Sequence, residues 1–216
     1  VVIARSGEPV VRVAGPFFSE DELRAGRLSL SEMPADEFLA WSSTAAFPLL
    51  PDPMSTEVFS RMKQSPRFDE VRADWDFRPV QGDFNATGDK DKFEFDIDEP
   101  RGRVPVLAGA SFNLWEPDFG SPYAYARPEV IRPALADKLA RATRNARSAY
   151  YGMTFAQGEL PMDRPRIAFR DVTNQTNSRT TVVALLPPHI CATHKAPVIV
   201  RRAGDAGAEA FLLGVM

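Results

Sequence analysis

The chain has 216 residues, of which 44% are hydrophobic and 25% are charged, and its formal net charge is −3 at pH 7. A chain of this length and composition can bury a substantial core, so we expect an ordinary globular protein. It has no apolar run near the roughly 20 residues that a membrane-spanning helix needs, and no signal peptide, which predicts a cytoplasmic location. The single cysteine, Cys191, excludes an internal disulfide and a cysteine-rich zinc site.

Both ends of the chain indicate a piece of a longer protein. There is no initiator Met, residues 1–4 read as the inside of a strand, and residues 211–216 are apolar without a terminating signal. We therefore expect this chain to be a fragment.

Charge is distributed unevenly along the chain. Residues 1–100 hold 11 Lys and Arg against 20 Asp and Glu, whereas residues 101–216 hold 15 against 9. A basic half favours a polyanionic partner, because phosphate contacts require local rather than net positive charge. A basic face that is only solvated is the alternative explanation and is the commoner one.

Residues 1–73 are predicted as a mainly helical spacer or scaffold region. The capping-box spacing of Ser19 and Glu22 begins one helix, Pro34 begins a second, and Pro53 begins a third. The segment 8–15, which precedes these helices, has strand character. The predicted buried stripe of the third helix consists of Val58, Phe59 and Met62.

Residues 74–216 are predicted as a mixed β-sheet domain with flanking helices, which places the chain in the α+β class. Strand segments begin near residues 74, 82 and 103, and a helix follows from Pro128 to about Tyr151, broken or bent at Pro133. One helix face is apolar, and the other carries Lys138, Arg141, Arg144 and Arg147. This basic face suits a phosphate backbone or, equally, is a solvated face over a buried Leu and Ala stripe.

Catalytic templates largely fail. The chain has no dinucleotide-binding or phosphate-binding glycine loop and no nucleophile elbow. The pair His189 and His194 with Cys191 lacks a suitable fourth metal ligand downstream, so we predict an ordinary loop. The acidic residues Asp74, Asp76, Asp96 and Asp98 leave a metal-dependent nuclease as a weaker alternative.

A polar packet at residues 171–179 separates two strand-like runs, 166–170 and 180–186. The flanking runs predict a surface loop held at both ends by sheet. Its residue types suit base readout, because Arg bonds guanine in bidentate fashion and Asn or Gln does the same to adenine. Asn and Thr are also common turn residues, so a plain loop is the competing interpretation.

This region resembles the specificity regions of type IIG restriction-modification enzymes and related phage-exclusion adenine methylases. Their motif is approximately R-I-x-x-R-x-[IV]-[AT]-x-x-T-N-x-R-T followed by an apolar strand and Pro. Residues 82–93 and 104–119 match two further elements, E-[LIF]-x-x-T-x-D-x-x-x-F and L-Y-x-G-x-x-[FI]-x-x-[FY], in the same order. Asp83 replaces the family's Glu, and Leu107-Ala108 replace its frequent Tyr-Glu. The matching residues of the third segment are Arg166, Arg170, Thr176, Asn177, Arg179 and Thr180.

The resemblance implies a target-recognition domain that binds double-stranded DNA. The parent enzyme would transfer a methyl group from S-adenosylmethionine to the exocyclic amine of a flipped adenine, with or without an additional nuclease domain. This fragment contains neither the cofactor-binding glycine loop nor the N-P-P-[YF] motif of such enzymes. We therefore expect it to be non-catalytic and without a cofactor of its own, with the parent's methyltransferase domain as its partner.

The predicted DNA contacts form three groups. Residues that fit a family-wide pattern cannot encode varied sequence preferences, so Asn174, Gln175 and Ser178 are the better base readers, while the patterned residues brace the loop or hold phosphate. A protein-interaction or scaffold domain remains the main alternative. The loop group is Arg170, Asn174, Gln175, Thr176, Asn177, Ser178, Arg179 and Thr180; Asn113 and Trp115 are its neighbours; and the backbone group is Lys138, Arg141, Arg144 and Arg147.

Overall fold

The computed structural model describes residues 9–13, 17–26, 31–40, 53–174 and 179–216. Within these residues the chain forms five α-helices and nine β-strands in three sheets, which confirms the predicted α+β class. Two compact units are present, Val1–Phe68 and Asp69–Met216, so the boundary falls at residue 68 rather than at the predicted residue 73. No described helix is long and apolar enough to cross a membrane.

The first unit combines a strand pair with three helices. Ser19 Oγ accepts the N–H of Glu22 at 3.1 Å, as the predicted cap requires. The core contains Val11, Met33 and Phe38. The elements are β1 (Val10–Val13), α1 (Glu20–Gly26), β2 (Ser31–Pro34), α2 (Ala35–Leu39) and α3 (Pro53–Met62), with β1 and β2 antiparallel.

The predicted buried stripe of α3 is wrong at two of its three positions. Phe59 packs against the core of the first unit. Val58 and Met62, however, are 52% and 65% exposed, and Thr56 is buried instead. Helical spacing shows which residues share a face, but it does not show which face the rest of the unit covers.

The second unit contains two sheets and two helices. The four-stranded sheet has the order β3-β9-β6-β7 with antiparallel neighbours, and the three-stranded sheet has the order β5-β4-β8, in which β4 and β8 are parallel. In chain order the elements are β3 (Asp76–Val80), β4 (Val104–Leu107), β5 (Ala124–Ala126), α4 (Pro128–Ala142), β6 (Arg166–Phe169), β7 (Val183–Leu186), β8 (Cys191–Ala192), β9 (Val198–Ala203) and α5 (Ala206–Val215).

Strand β6 lies at the centre of this packing because both of its faces are covered. Ile167 belongs to a cluster that includes Leu212 of α5, whereas Ala168 belongs to a cluster that includes Leu107 and Ala192 of the three-stranded sheet. This alternation follows the two-residue period of a strand. On the three-stranded sheet a separate cluster contains Ile131 of α4.

The predicted helix from Pro128 to Tyr151 is too long and is not broken. It passes through Pro133 and ends at Ala142. Beyond it, Asn145 Oδ1 accepts the N–H of Arg147 at 3.0 Å and Ser148 Oγ accepts the N–H of Tyr150 at 3.1 Å. Such local bonds give the backbone an alternative to helix, and they explain why the apolar spacing did not extend it. Arg144 and Arg147 therefore lie outside the helix.

The predicted strand segment beginning near residue 82 is also wrong. Residues 82–95 contain only isolated bridges, at Phe84 with Thr193 and at Glu94 with Tyr125, and a short 3₁₀ turn. Gly82 lies at the start of this segment, in close contact with the end of β8 and the residue that follows it. A Cβ atom on Gly82 would lie 2.3 Å from the carbonyl oxygen of Thr193 and 2.5 Å from that of Ala192.

We expect Gly82→Ala to lower the free energy of unfolding by about 1–3 kcal/mol, because the two backbone segments must separate to admit the methyl group. The matched control is Gly88→Ala, whose Cβ would be 3.6 Å from its nearest neighbour, an ordinary contact. Chemical denaturation of both variants measures the difference. Equal free energies of unfolding would contradict the close approach.

Candidate nucleic-acid interface

The polar loop predicted from the sequence connects β6 to β7, which are adjacent antiparallel strands. The last paired position of the two strands is Phe169 with Val183, so β7 begins three residues later than predicted. Thr173 Oγ1 donates to the carbonyl oxygen of Thr180 at 2.7 Å and closes the base of the loop. The loop is therefore held at both ends by sheet, as expected.

The structure describes only part of the loop. Residues 175–178, which include the predicted readers Gln175 and Ser178 and the matching Thr176 and Asn177, lie outside the described residues. Asn174, Arg179 and Thr180 flank this gap and are exposed. Two neighbouring segments meet the loop, and we define the recognition surface as residues 109–116, 171–174, 179–182 and 193–197.

Arg170 was predicted as a DNA contact of the loop group that, as a patterned residue, braces the loop or holds phosphate, and the structure places it against a neighbouring segment. Its guanidinium is partly buried, and Nη2 donates to the carbonyl oxygen of Phe112 at 2.6 Å. A Cβ on Gly109 would lie 2.9 Å from the carbonyl oxygen of Lys195 and 3.5 Å from Cγ of Arg170, so glycine is needed where these segments meet. Arg170 therefore braces the loop through its hydrogen bond to the Phe112 carbonyl.

Trp115 is held rigidly beside the loop. Its backbone N–H donates to the carbonyl oxygen of Val183 at 2.8 Å, and its indole N–H donates to that of Leu213 at 3.2 Å. Its φ is +61°, a conformation that bulky residues adopt only where the surroundings enforce it. The enforcing turn is closed by reciprocal backbone bonds between Asn113 and Glu116, so Asn113 acts here through its backbone.

Arg179 lies over the exposed indole of Trp115. The guanidinium carbon is 5.5 Å from the ring centroid, and 51% of the Trp115 surface remains accessible. This geometry is a cation–π contact, which orients a guanidinium while leaving its N–H groups at the edge of the stack. Trp115 thus positions Arg179 at the mouth of the loop.

The recognition surface carries no net charge among its described residues, with His194 taken as neutral. Its basic side chains are Arg179 and Lys195, and its acidic ones are Glu116 and Asp171. Lys195 and Asp171 are exposed, and their backbones meet through an N–H to carbonyl bond of 3.3 Å. The surface therefore supplies few phosphate contacts by itself.

The backbone group lies away from the loop. Lys138 Nζ donates to the carbonyl oxygen of Asp83 at 2.6 Å, next to Arg166 at the start of β6. The loop follows the other end of β6, four residues and about 13 Å further on. Arg141, Arg144 and Arg147 are exposed and form no ion pair within the described chain. The structure does not bring this group together with the loop residues.

Arg166 and Asp83 form a buried ion pair that sequence reasoning did not identify. Arg166 Nη1 and Nη2 donate to the two carboxylate oxygens of Asp83 at 2.7 and 2.9 Å, and the side chains are only 8% and 7% exposed. Arg166 also bonds the carbonyl oxygen of Ile190 at 2.8 Å, and the carboxylate accepts the N–H of Ala192 at 2.8 Å. Although burial opposes its charge, the neighbouring Asp83 carboxylate raises the pKa of Arg166. The sequence contained a signal for this pair, since both residues occupy positions of the resembling family motifs.

The described residues form no site for the alternative function, a metal-dependent nuclease. Asp76 pairs with Arg78 at 2.8 Å and with Arg202 at 3.4 Å, while Asp74, Asp96 and Asp98 are exposed. Throughout the described ranges there is no cluster of three or more His, Cys, Asp or Glu side chains that could hold a metal ion. The predicted nuclease carboxylates are therefore not brought together.

The two histidines face different partners. His189 Nδ1 lies 3.2 Å from a carboxylate oxygen of Asp163, and His194 Nδ1 accepts the backbone N–H of Ala86 at 3.1 Å. Hydrogen bonds from Arg132 hold the pKa of Asp163 well below its usual value, at about 2. Asp163 is thus an anion bound mainly to Arg132, and His189 is a secondary neighbour.

Comparison with known proteins found no matching family model, no matching curated protein and no matching solved structure.

We expect Arg166→Met to lower the free energy of unfolding by about 3–5 kcal/mol, because it leaves the buried Asp83 carboxylate without its counter-charge. Adding Asp83→Leu should recover part of this loss, since no unpaired charge then remains. The matched control is Arg164→Met, which removes an exposed pair with Glu159 and should cost about 1 kcal/mol or less. Urea denaturation measures all three. Similar losses for Arg166→Met and Arg164→Met would contradict a structural role for the buried pair.

Proposed function

We propose that the second unit is the target-recognition domain of an adenine-N6 DNA methyltransferase of the restriction-modification type, and that it binds double-stranded DNA sequence-specifically. One observation carries the proposal: residues of the three resembling segments contact one another. Asp83 of the first segment pairs with Arg166 of the third, and Phe112 of the second accepts a bond from Arg170 of the third. Asn174, a loop position outside the pattern, is exposed.

The proposal assigns two roles: some residues brace the loop, and others read the edges of the bases. The braces hold the base of the loop, where Asn174 and Thr180 are exposed, and amide and hydroxyl groups can pair with base edges in the major groove. Arg179, oriented by Trp115, is the described cation best placed to contact either guanine or a phosphate next to the loop. Lys195 is a further phosphate contact on the same surface.

Affinity then requires phosphate contacts beyond the loop. Arg141 and Arg144 are exposed and unpaired within the described chain, and they would lie along the DNA backbone on one side of the reading loop. Lys138 is less suited to this role because its ammonium group already bonds the Asp83 carbonyl. A separation of about 13 Å or more is a few base pairs of duplex, so one site can span both groups.

The catalytic parts belong to the proposed parent enzyme. There a methyltransferase domain would bind S-adenosylmethionine and modify a flipped adenine, whereas this chain would select the sequence without modifying it. The proposed protein is cytoplasmic, and its partners are DNA and the methyltransferase domain of the same chain.

Binding of the 216-residue chain to a labelled random-sequence duplex should weaken steeply as salt rises, because phosphate contacts release counter-ions. Arg179→Ala should weaken binding and reduce the slope of log K against log salt by about 1. Fluorescence anisotropy across a salt series measures both effects.

The control for that series is Arg101→Ala, an exposed Arg before β4 and so at the other end of that strand from Gly109. It removes one charge and should leave the slope unchanged. Binding that does not respond to salt would contradict the proposal and favour the protein-interaction alternative. Equal effects of the two substitutions would remove Arg179 from the interface.

Sequence preference provides a second prediction. Asn174→Ala, alone and with Gln175→Ala, should change the duplexes selected from a randomised library, with a loss of roughly 1–3 kcal/mol at each affected base pair. Affinity for random DNA should change little, because amide side chains add few phosphate contacts. Gln157→Ala, another exposed amide but between α4 and β6, is the control. An unchanged preference in the loop variants would contradict base reading by this loop.

A further inference from the structure

A cavity of about 570 Å³ lies between α4 and β3 in the second unit. Its volume falls within the range of small-molecule sites, which are mainly apolar with a few placed polar groups. The apolar walls come from Phe77 and Val80 on β3 and from Leu135 and Leu139 on α4.

The charged groups of the cavity leave a positive excess. Lys138, Arg147 and Arg78 line it together with two carboxylates, Asp69 and Asp83. Asp83 is neutralised by the buried Arg166, and Arg78 pairs with Asp76, which lies outside the lining. Lys138 and Arg147 form no ion pair with described residues, and they outnumber Asp69, the other carboxylate of the lining.

These two cations can still bind an anion. The Lys138 ammonium gives one N–H to the Asp83 carbonyl, and the other two remain. Arg147 makes no side-chain hydrogen bond to a described residue, so its planar fork is available for bidentate binding of a phosphate or carboxylate. Tyr150 also lines the cavity, and burial raises its pKa to about 12, so its phenol adds no negative charge near neutral pH.

We propose that this cavity binds a small organic anion in which one planar ring carries a single phosphate or carboxylate. The ring would lie between the apolar walls of β3 and α4, and the anionic group would contact Arg147 and Lys138. This chemistry is shared by nucleoside monophosphates and aromatic carboxylates. The inference rests on the cavity alone and does not depend on DNA binding by the recognition surface.

Four probes separate the ring from the anion: adenosine monophosphate, 2-naphthoate, adenosine and inorganic phosphate. Calorimetry and ligand-detected NMR at low salt should show saturable binding of at least one of the first two, with a Kd on the order of 10 µM to 1 mM. Adenosine and phosphate, which each lack half of the required chemistry, should bind at least about tenfold more weakly. Whether the nucleotide or the carboxylate binds more tightly identifies the source of the anion.

Two substitutions three residues apart provide the matched test. Arg147→Gln should weaken binding at least about tenfold, which corresponds to the loss of one ion pair in a partly enclosed site. Arg144→Gln removes the same charge from an exposed residue that does not line the cavity, and it should leave the Kd unchanged. Ala142→Leu, which adds volume to the cavity wall, should abolish binding.

The outcomes are decisive in either direction. Absence of saturable binding by all four probes would overturn the proposal, as would equal effects of Arg147→Gln and Arg144→Gln. Phosphate binding as tight as that of the nucleotide would overturn the role of the apolar walls. If Ala142→Leu lowers the unfolding midpoint, the comparison of Arg147→Gln with Arg144→Gln still decides, because both residues are exposed.

Discussion

The buried pair of Arg166 with Asp83 is the contact on which the second unit's geometry depends. It joins the first residue of β6, in the four-stranded sheet, to the segment that lies against β8 of the three-stranded sheet. The cost of removing both charges from water offsets much of their attraction, so the pair adds more to geometry than to net stability. In this position of the sheets, both carboxylate oxygens and the guanidinium are hydrogen-bonded together.

The two ends of β6 use arginine in the same way. At the start of the strand Arg166 bonds Asp83 and the carbonyl of Ile190, and just past its end Arg170 bonds the carbonyl of Phe112. Guanidinium groups suit this task because their planar donors can bond several acceptors on separate segments. The strand is thereby fixed at both ends, and the loop that follows Arg170 begins from a defined position.

The sequence predicted the parts whose pattern is local. The α+β class and both strands beside the loop follow from apolar runs and their punctuation. The end of α4 could not be predicted in this way, because Asn145 and Ser148 form turns that compete with the helix that the apolar spacing favours. The partner of Asp83 was hidden because it lies 83 positions away, and no local pattern reports such a contact. The resemblance marked both residues without revealing that they touch.

Contacts with segments that are distant in the sequence also explain why Arg170 and Arg179 have different roles although both match one motif. Arg170 packs against the adjoining segment, where the carbonyl oxygen of Phe112 accepts a hydrogen bond from its guanidinium. Among the described residues Arg179 contacts the indole of Trp115, and it is exposed, so its donors remain at the surface. A carbonyl oxygen within reach of one arginine and an exposed aromatic ring beneath the other therefore decide which cation braces the loop and which is available to a partner.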